Sequence, residues 1–401
     1  MHLTIDKDKK VYKKIWTDVE YISSKVRNLL GKHIHSILLC GGFGRGEGSV
    51  VVQNGIIHVV NDYDFVIALK GKNRLHYTKL YKKFHAPLEQ LAAELADELE
   101  IKQVDLALKP LSYFSKARIL RIENFEVKKG HVLVFGNEDP TARMPDWRAK
   151  NIPLFEGTWL LRNRGTGMLI AALYALCKGG VPEKKKENFV IECTKAQLAM
   201  GDSILLLRGM YHHLYNERLK RITNLDFSDI PAGQEILMKY REALEHKLRP
   251  DFGRFYQRDL TKWWFQISRL MDTFYQYYEQ HRLNVRFSDW CDYVSLQKPE
   301  DQFELKTFIG KTIRGGGQFL SVKRLLDNYQ KSRRSYSISL VPLLLFSIGT
   351  ESYDGKMMNK AAQLLGQPVS GETRQDWIGL VKAALNEIHP GGEVAKAIKL
   401  H

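Results

Sequence analysis

The sequence predicts an α+β protein: a small mixed β-sheet domain followed by an α-helical C-terminal domain. Three observations carry this expectation. Short β-branched and apolar runs alternate with helical patterns up to about residue 136, as in a sheet covered by helices. From about residue 155 the strand pattern gives way to one helical stretch after another. The 401 residues, 44% hydrophobic, are enough for two packed cores. The expected division is 1–150 for the sheet domain and 151–401 for the helical one. A further split is expected near 285–320, where Gly315-Gly316-Gly317 interrupts the pattern.

In chain order, residues 8–31 read as an amphipathic helix, and Ser36 to Cys40 as a strand. That strand runs into Gly41, Gly42, Gly44, Gly46 and Gly48. Two β-branched runs around Asn54-Gly55 give the strongest short hairpin signal. Asn61-Asp62-Tyr63-Asp64-Phe65 begins the next strand. Residues 83–99 read as a helix with Pro87 in its first turn. The run Ile101 to Leu108 reads as a central strand in which Asp105 is the lone acid. A helix near Tyr113 to Glu123 and a closing strand at His131 to Gly136 complete the domain, and Asn137 to Thr141 leads out of it. Helices are then expected at Glu156–Lys178, Asn188–Arg208, Tyr211–Arg221, Gly233–His246 and Leu260–Arg282. The first of these stops at Gly179-Gly180-Val181-Pro182.

The chemistry concentrates around the glycines. Residues two apart on a strand share a face, so Asp62 and Asp64 project side by side. Adjacent carboxylates raise each other's pKa unless a cation sits between them. Mg2+ takes carboxylate oxygens and commonly shares its remaining positions with substrate phosphates. A backbone stripped of side chains lets N–H groups approach such an anion. If the strand of Asp105 lies beside that of Asp62 and Asp64, three acids converge, enough for two ions and in-line phosphoryl chemistry. The glycines do not fit Gly-x-Gly-x-x-Gly, because Glu47 breaks the pattern and a hairpin, not a long helix, follows. Taken alone, an Asp-x-Asp pair is more often solvated surface.

At these residues the chain resembles the nucleotidyltransferase superfamily that includes DNA polymerase beta and the aminoglycoside nucleotidyltransferases. The family pattern is a strand ending in Gly-Gly or Gly-Ser, a turn reading Arg-Gly-Glu, an Asp-x-Asp strand and a later strand with a third Asp. Gly41-Gly42, Arg45-Gly46-Glu47, Asp62-x-Asp64 and Asp105 stand in that order here. The resemblance implies that Gly41, Gly42, Arg45 and Glu47 form the nucleotide-binding turn. It implies that Asp62, Asp64 and Asp105 are the catalytic residues and bind two Mg2+ ions, with Mn2+ as the alternative. There are two departures: Gly42 stands where a serine is common, and the gap between turn and acids is long. The resemblance covers about the first third of the chain.

Composition bounds the rest. With 61 basic against 45 acidic residues the net charge is +16, which favours polyanions, a nucleoside triphosphate or RNA among them. Lys184-Lys185-Lys186 and Lys331-Ser332-Arg333-Arg334 read as solvated loops. There is no apolar run long enough for a membrane span and no signal-peptide segment at the start. Cys40, Cys177, Cys193 and Cys291 are widely spaced, against structural zinc or a disulfide framework and in keeping with a reducing cytoplasm. In the helical half, Lys195 and Asp202 lie two turns apart on one face. By the resemblance Lys195 is the candidate for neutralising triphosphate and Tyr211 for the base or acceptor; the plain alternative is a surface Lys paired with an acid. Arg162, Asn163 and Arg164 interrupt an apolar face and read as an interhelical ion pair or as groups reaching the cleft. Trp263-Trp264-Phe265 and Tyr275 to Tyr278 read as packing.

The expected function is a metal-dependent nucleotidyltransferase that moves a nucleoside monophosphate, AMP by preference, from ATP to a hydroxyl of a small-molecule acceptor and releases pyrophosphate. Two alternatives stand beside it: an RNA- or tRNA-directed nucleotidyltransferase, and a non-catalytic nucleotide-binding regulatory protein.

Overall fold

A four-stranded mixed sheet organises the first part of the chain, in the order β5-β4-β1-β6. The structure is a computed structural model and describes residues 2–60, 62–71, 74–115, 120–296, 334–368 and 371–388. Strand β1 (Ile34–Leu39) runs antiparallel to both β4 (Tyr63–Leu69) and β6 (Val132–Phe135). Strand β5 (Val104–Pro110) runs parallel to β4. A separate ribbon, β2 (Val50–Gln53) and β3 (Ile56–Val59), closes on Asn54 and Gly55 at φ 52° and 79°. Positive φ at both turn residues is what a tight right-twisted hairpin requires, and Asn-Gly adopts it at little cost.

The two faces of the sheet differ. On one face Ile37, Leu39, Tyr63, Phe65, Ile67 and Leu69 pack beneath helix α1 (Lys9–Leu30) and helix α3 (Arg74–Glu98). The Asp8 carboxylate starts α1 by accepting the N–H groups of Lys10 and Val11. Its buried stripe, Val11, Ile15, Val19, Ile22 and Val26, keeps the three- and four-residue spacing of an amphipathic helix. On the other face Leu38, Cys40, Val66 and Ala68 meet Phe114, Val127 and Met144. That cover is smaller, and it leaves the start of β4 and β5 without a long helix over it.

Two expectations are corrected. Helix α3 begins well before residue 83, so Pro87 lies inside it and not in its first turn. The apolar series Leu80, Phe84, Leu88 and Leu95 continues through the proline and buries against the sheet, which outweighs the lost backbone hydrogen bond. The single helix foreseen near Tyr113 to Glu123 is instead two short ones, α4 (Leu111–Ser115) and α5 (Ile122–Lys129).

The chain clusters into two units, of which the first is discontinuous. It contains Met1–Pro153 and also Arg208–Asn224 and Leu244–Pro250, which return to it later in the sequence. The second contains Leu154–Leu207, Leu225–Ala243 and Asp251–His401. It is helical, with α6 (Phe155–Ala175), α7 (Lys186–Leu207) and α11 (Leu260–Leu283) packed on one another. Trp264, 1% exposed, donates its indole N–H to the Met168 carbonyl at 3.0 Å, so the aromatic pair is core packing with a satisfied polar edge. Glu279 is fully buried, yet it accepts from Tyr293 at 2.8 Å and Arg282 at 2.7 Å, which compensates its charge. Arg162 is buried with its guanidinium over the Trp159 ring. The break at Gly315-Gly316-Gly317 and the basic run at 331–333 lie outside the described residues. Among the described residues no helix is long and apolar enough to cross a membrane.

Candidate active site

Asp64 and Asp105 are register partners on the parallel strands β4 and β5. Paired residues of neighbouring parallel strands lie about 4.8 Å apart and point to the same face. The alternation confirms which face. Tyr63 and Phe65 enter the core under α1 and α3, as do Val104 and Leu108, so Asp64 and Asp105 emerge on the opposite side. Asp62, two residues before Asp64, is half-buried beside them. Asn61 lies outside the described residues.

The carboxylates act on one another. Burial first, and then the charges of Asp105 and Asp62, push the Asp64 carboxyl up to about 7. Arg45 and Lys247 oppose that rise. Asp105 is also raised, chiefly by burial and further by Asp62, against a hydrogen bond from the Gln103 amide. Near neutral pH Asp64 is therefore only partly ionised.

The glycine turn abuts this pair. Cys40 ends the strand by donating its N–H to the Asp64 carbonyl at 2.7 Å, and Gly41–Gly44 then forms a single helical turn, α2. Gly41 sits at φ +60°, and a Cβ there would stand 1.8 Å from Asp64 Oδ2. Only a residue without a side chain lets that carboxylate touch the turn. A Cβ on Gly48 would overlap the Phe43 ring, which packs against Tyr63 with centroids 4.9 Å apart. Gly44, Arg45 and Glu47 donate their amides to Cys40, Gly41 and Gly42, which fixes the turn's conformation. The first amides of a helical turn have no carbonyl partner within it.

Arg45 and Glu47 find their side-chain partners on α5 and at residues 215–216. Arg45 donates Nη1 to Glu126 on α5 at 2.9 Å, with its side chain 7% exposed. Glu47, 4% exposed, accepts the N–H groups of Tyr215 at 2.8 Å and Asn216 at 3.2 Å. These begin α8 (Tyr215–Thr223), whose N-terminal end favours a carboxylate. Tyr211 donates its hydroxyl to Glu126 at 2.6 Å, and Arg218, 1% exposed, pairs with the same carboxylate. Burial would raise the Glu126 carboxyl, but the guanidiniums of Arg45 and Arg218 hold it below the usual range.

Lys195 lies on α7 in the helical unit, where its ammonium meets Glu192 at 3.2 Å. Lys247 belongs to the sheet unit through Leu244–Pro250. Its carbonyl accepts from Ser49, just beyond the glycines, and its charge is felt at Asp64. Nothing local in the sequence marks Lys247 out. It lies inside an ordinary amphipathic helix, α9 (Gly233–Leu248), and only the return of the helix end to the first unit brings it to the site.

Among the described residues no group of three or more His, Cys, Asp or Glu side chains is arranged to hold a metal ion. The chemistry of the donor set nevertheless fits a hard divalent cation. Asp62, Asp64 and Asp105 offer carboxylate oxygens alone, and their mutual repulsion is the kind that a bound cation relieves.

No protein-family model matches the sequence, and no curated protein matches it. A solved structure, spectinomycin adenyltransferase AAD(9) from Enterococcus faecialis with ATP and spectinomycin, is similar over 65% of this chain and 98% of that chain. The two are 11% identical, with a TM-score of 0.34.

Proposed function

We propose that this protein is a nucleotidyltransferase of the superfamily its sequence resembles, moving AMP from ATP to a hydroxyl of a small-molecule acceptor with release of pyrophosphate. The observation that supports this most is the in-register pair Asp64 and Asp105 beside a turn whose Gly41 admits the Asp64 carboxylate. Covalent catalysis would need a nucleophile with a base beside it. Cys40, the thiol nearest the acids, is buried and its pKa pushed far up by that burial, so it is a poor nucleophile.

In this reading Asp62, Asp64 and Asp105 would hold two Mg2+ ions, or Mn2+. When bound, such ions neutralise phosphate charge and polarise the α-phosphate. Gly41 and Gly42 present backbone amides to the phosphates, and Arg45 and Glu47 hold the turn in shape. Lys247 and Lys195 are the two candidates for neutralising the triphosphate. Asp105 takes the proton of the acceptor hydroxyl as its oxygen bonds to the α-phosphorus and pyrophosphate leaves. Most of the acceleration then comes from alignment and charge stabilisation.

The experiment is incubation with each labelled nucleoside triphosphate, Mg2+ and cell extract separated into small-molecule, RNA and protein fractions. Label entering small molecules, with none for Asp64→Ala, is the expected result. The net charge of +16 favours one second reading, transfer to RNA, which the RNA fraction would reveal. Wild-type protein that labels no fraction and releases no pyrophosphate would refute catalysis.

A further inference from the structure

Three side chains around the exit of the glycine turn, Arg45, Glu126 and Arg218, form one ionic network. Arg45 and Glu47 flank Gly46, which sits at φ +77° and turns the chain sharply between them. Both leave the turn in the direction of residues 211–218. Arg45 reaches Glu126, which is shared with Arg218 and Tyr211. Glu47 reaches the first two amides of α8. The Arg218 guanidinium lies over the rings of Tyr211 and Tyr215, 4.3 and 4.4 Å from their centroids, and its Nε donates to the His212 carbonyl at 2.5 Å. Gly130 completes the fit, because a Cβ there would lie 2.5 Å from Arg45 Cγ. All of these residues belong to the first unit.

The physical consequence follows from burial. A carboxylate shared by two buried guanidiniums is stable as a set, and removing it takes a common counter-charge from both in a poorly solvated place. The turn and the 208–224 segment are therefore coupled: loss of Glu126 takes an ion-pair partner from Arg45 on one side and from Arg218 on the other. We propose that Glu126 is a positioning residue through which segment 208–224 holds the glycine turn in its nucleotide-binding conformation, an inference that rests on the function proposed above. Neither Glu126 nor Arg218 touches the nucleotide in this scheme. The two sites are linked reciprocally, so an anion seated at the turn also orders residues 211–218.

The test combines Mg-ATP titration calorimetry with amide hydrogen exchange on the full-length protein. Glu126→Gln should bind Mg-ATP about tenfold or more weakly, a typical coupling. It should also exchange faster at residues 41–48 and 211–218 together, while the strands β1, β4 and β5 exchange as in wild type. In wild type, Mg-ATP should slow exchange at 211–218 as well as at 41–48, and Glu126→Gln should abolish the remote half of that protection. A merely structural brace would not transmit it. Glu183→Gln, which removes an exposed pair with Lys186 in the helical unit, should change nothing. If Glu126→Gln does not fold by circular dichroism, Tyr211→Phe, which removes one hydrogen bond to Glu126, carries the same readouts. Wild-type affinity in the variant, or nucleotide protection confined to 41–48, overturns the proposal. If wild type binds no Mg-ATP, the functional reading fails. In that case unchanged exchange in the variant still overturns the coupling, and joint loosening of both segments still supports it.

Discussion

Tyr63 donates its hydroxyl to Asp18 Oδ2 at 2.9 Å, on the face of the sheet opposite the acids. Lys14 pairs with the same carboxylate at 2.7 Å. The bond ties β4 to α1 and fixes the side on which Asp64 emerges, since a one-residue slip would exchange the faces. Tyr63→Phe should therefore cost about 1–3 kcal/mol, because Asp18 is left buried with one partner fewer. Urea denaturation would measure it, and an unchanged midpoint would remove Tyr63 from the anchoring of β4.

Gly41→Ala places a methyl group on Asp64 Oδ2 and forces a non-glycine residue into left-handed backbone. Transfer activity should fall at least about 100-fold, the scale of a 1 Å misplacement at a reacting centre. Stability should fall by about 1–2 kcal/mol from the backbone alone. The double variant Gly41→Ala/Asp64→Ala should recover part of the lost melting temperature and none of the activity. Recovery of activity would show that Asp64 is dispensable.

The pH dependence has a definite sign. The folded Asp64 titrates at about 7, above the ordinary carboxylate range of the unfolded chain. Between those values the native state holds a proton that the unfolded state lacks. The stability this contributes is fully present below about pH 4 and is lost as pH rises through about 7. In EDTA, Asp64→Asn should therefore gain on wild type as pH rises, by at most on the order of 4 kcal/mol at pH 8. Adding Mg2+ at pH 8 should stabilise wild type and leave Asp64→Asn unmoved. Parallel pH profiles for the two proteins would contradict the assignment.

Two lysines compete for one role. Lys247→Ala should raise KM for the nucleoside triphosphate about tenfold or more, the cost of one lost charge-assisted contact. Lys195 already meets Glu192, so Lys195→Ala is expected to change KM less. Steady-state kinetics on both variants would separate them, and the reverse ranking would return the role to the helical unit.

The architecture was legible where a local rule decides it. Asn54-Gly55 announces its hairpin, the spacing of Val11 to Val26 announces α1, and two-residue alternation puts Asp62 and Asp64 on one face. The lateral pairing of Asp64 with Asp105 needed only that two strands be neighbours. What escaped was long-range. Pro87 argued for a helix start, but the apolar stripe on both sides of it packs on the sheet and overrides the local signal. By resemblance Arg45 and Glu47 belong to the nucleotide-binding turn, but the partners of their side chains come from residues 126 and 215–216. No spacing within the turn reveals that. Lys247 was invisible for the same reason.

The first unit takes in residues that the ribosome delivers only after a long helical excursion. A polypeptide cut after Pro153 would present the strands and the glycines but would lack Tyr211, Arg218 and the α8 amides that donate to Glu47. It should emerge as an unstable, aggregation-prone species. Co-expression of residues 154–401 as a separate piece should rescue it, by complementation between fragments. For anyone dividing this gene into modules, the seam that looks natural in the linear order is the wrong place to cut.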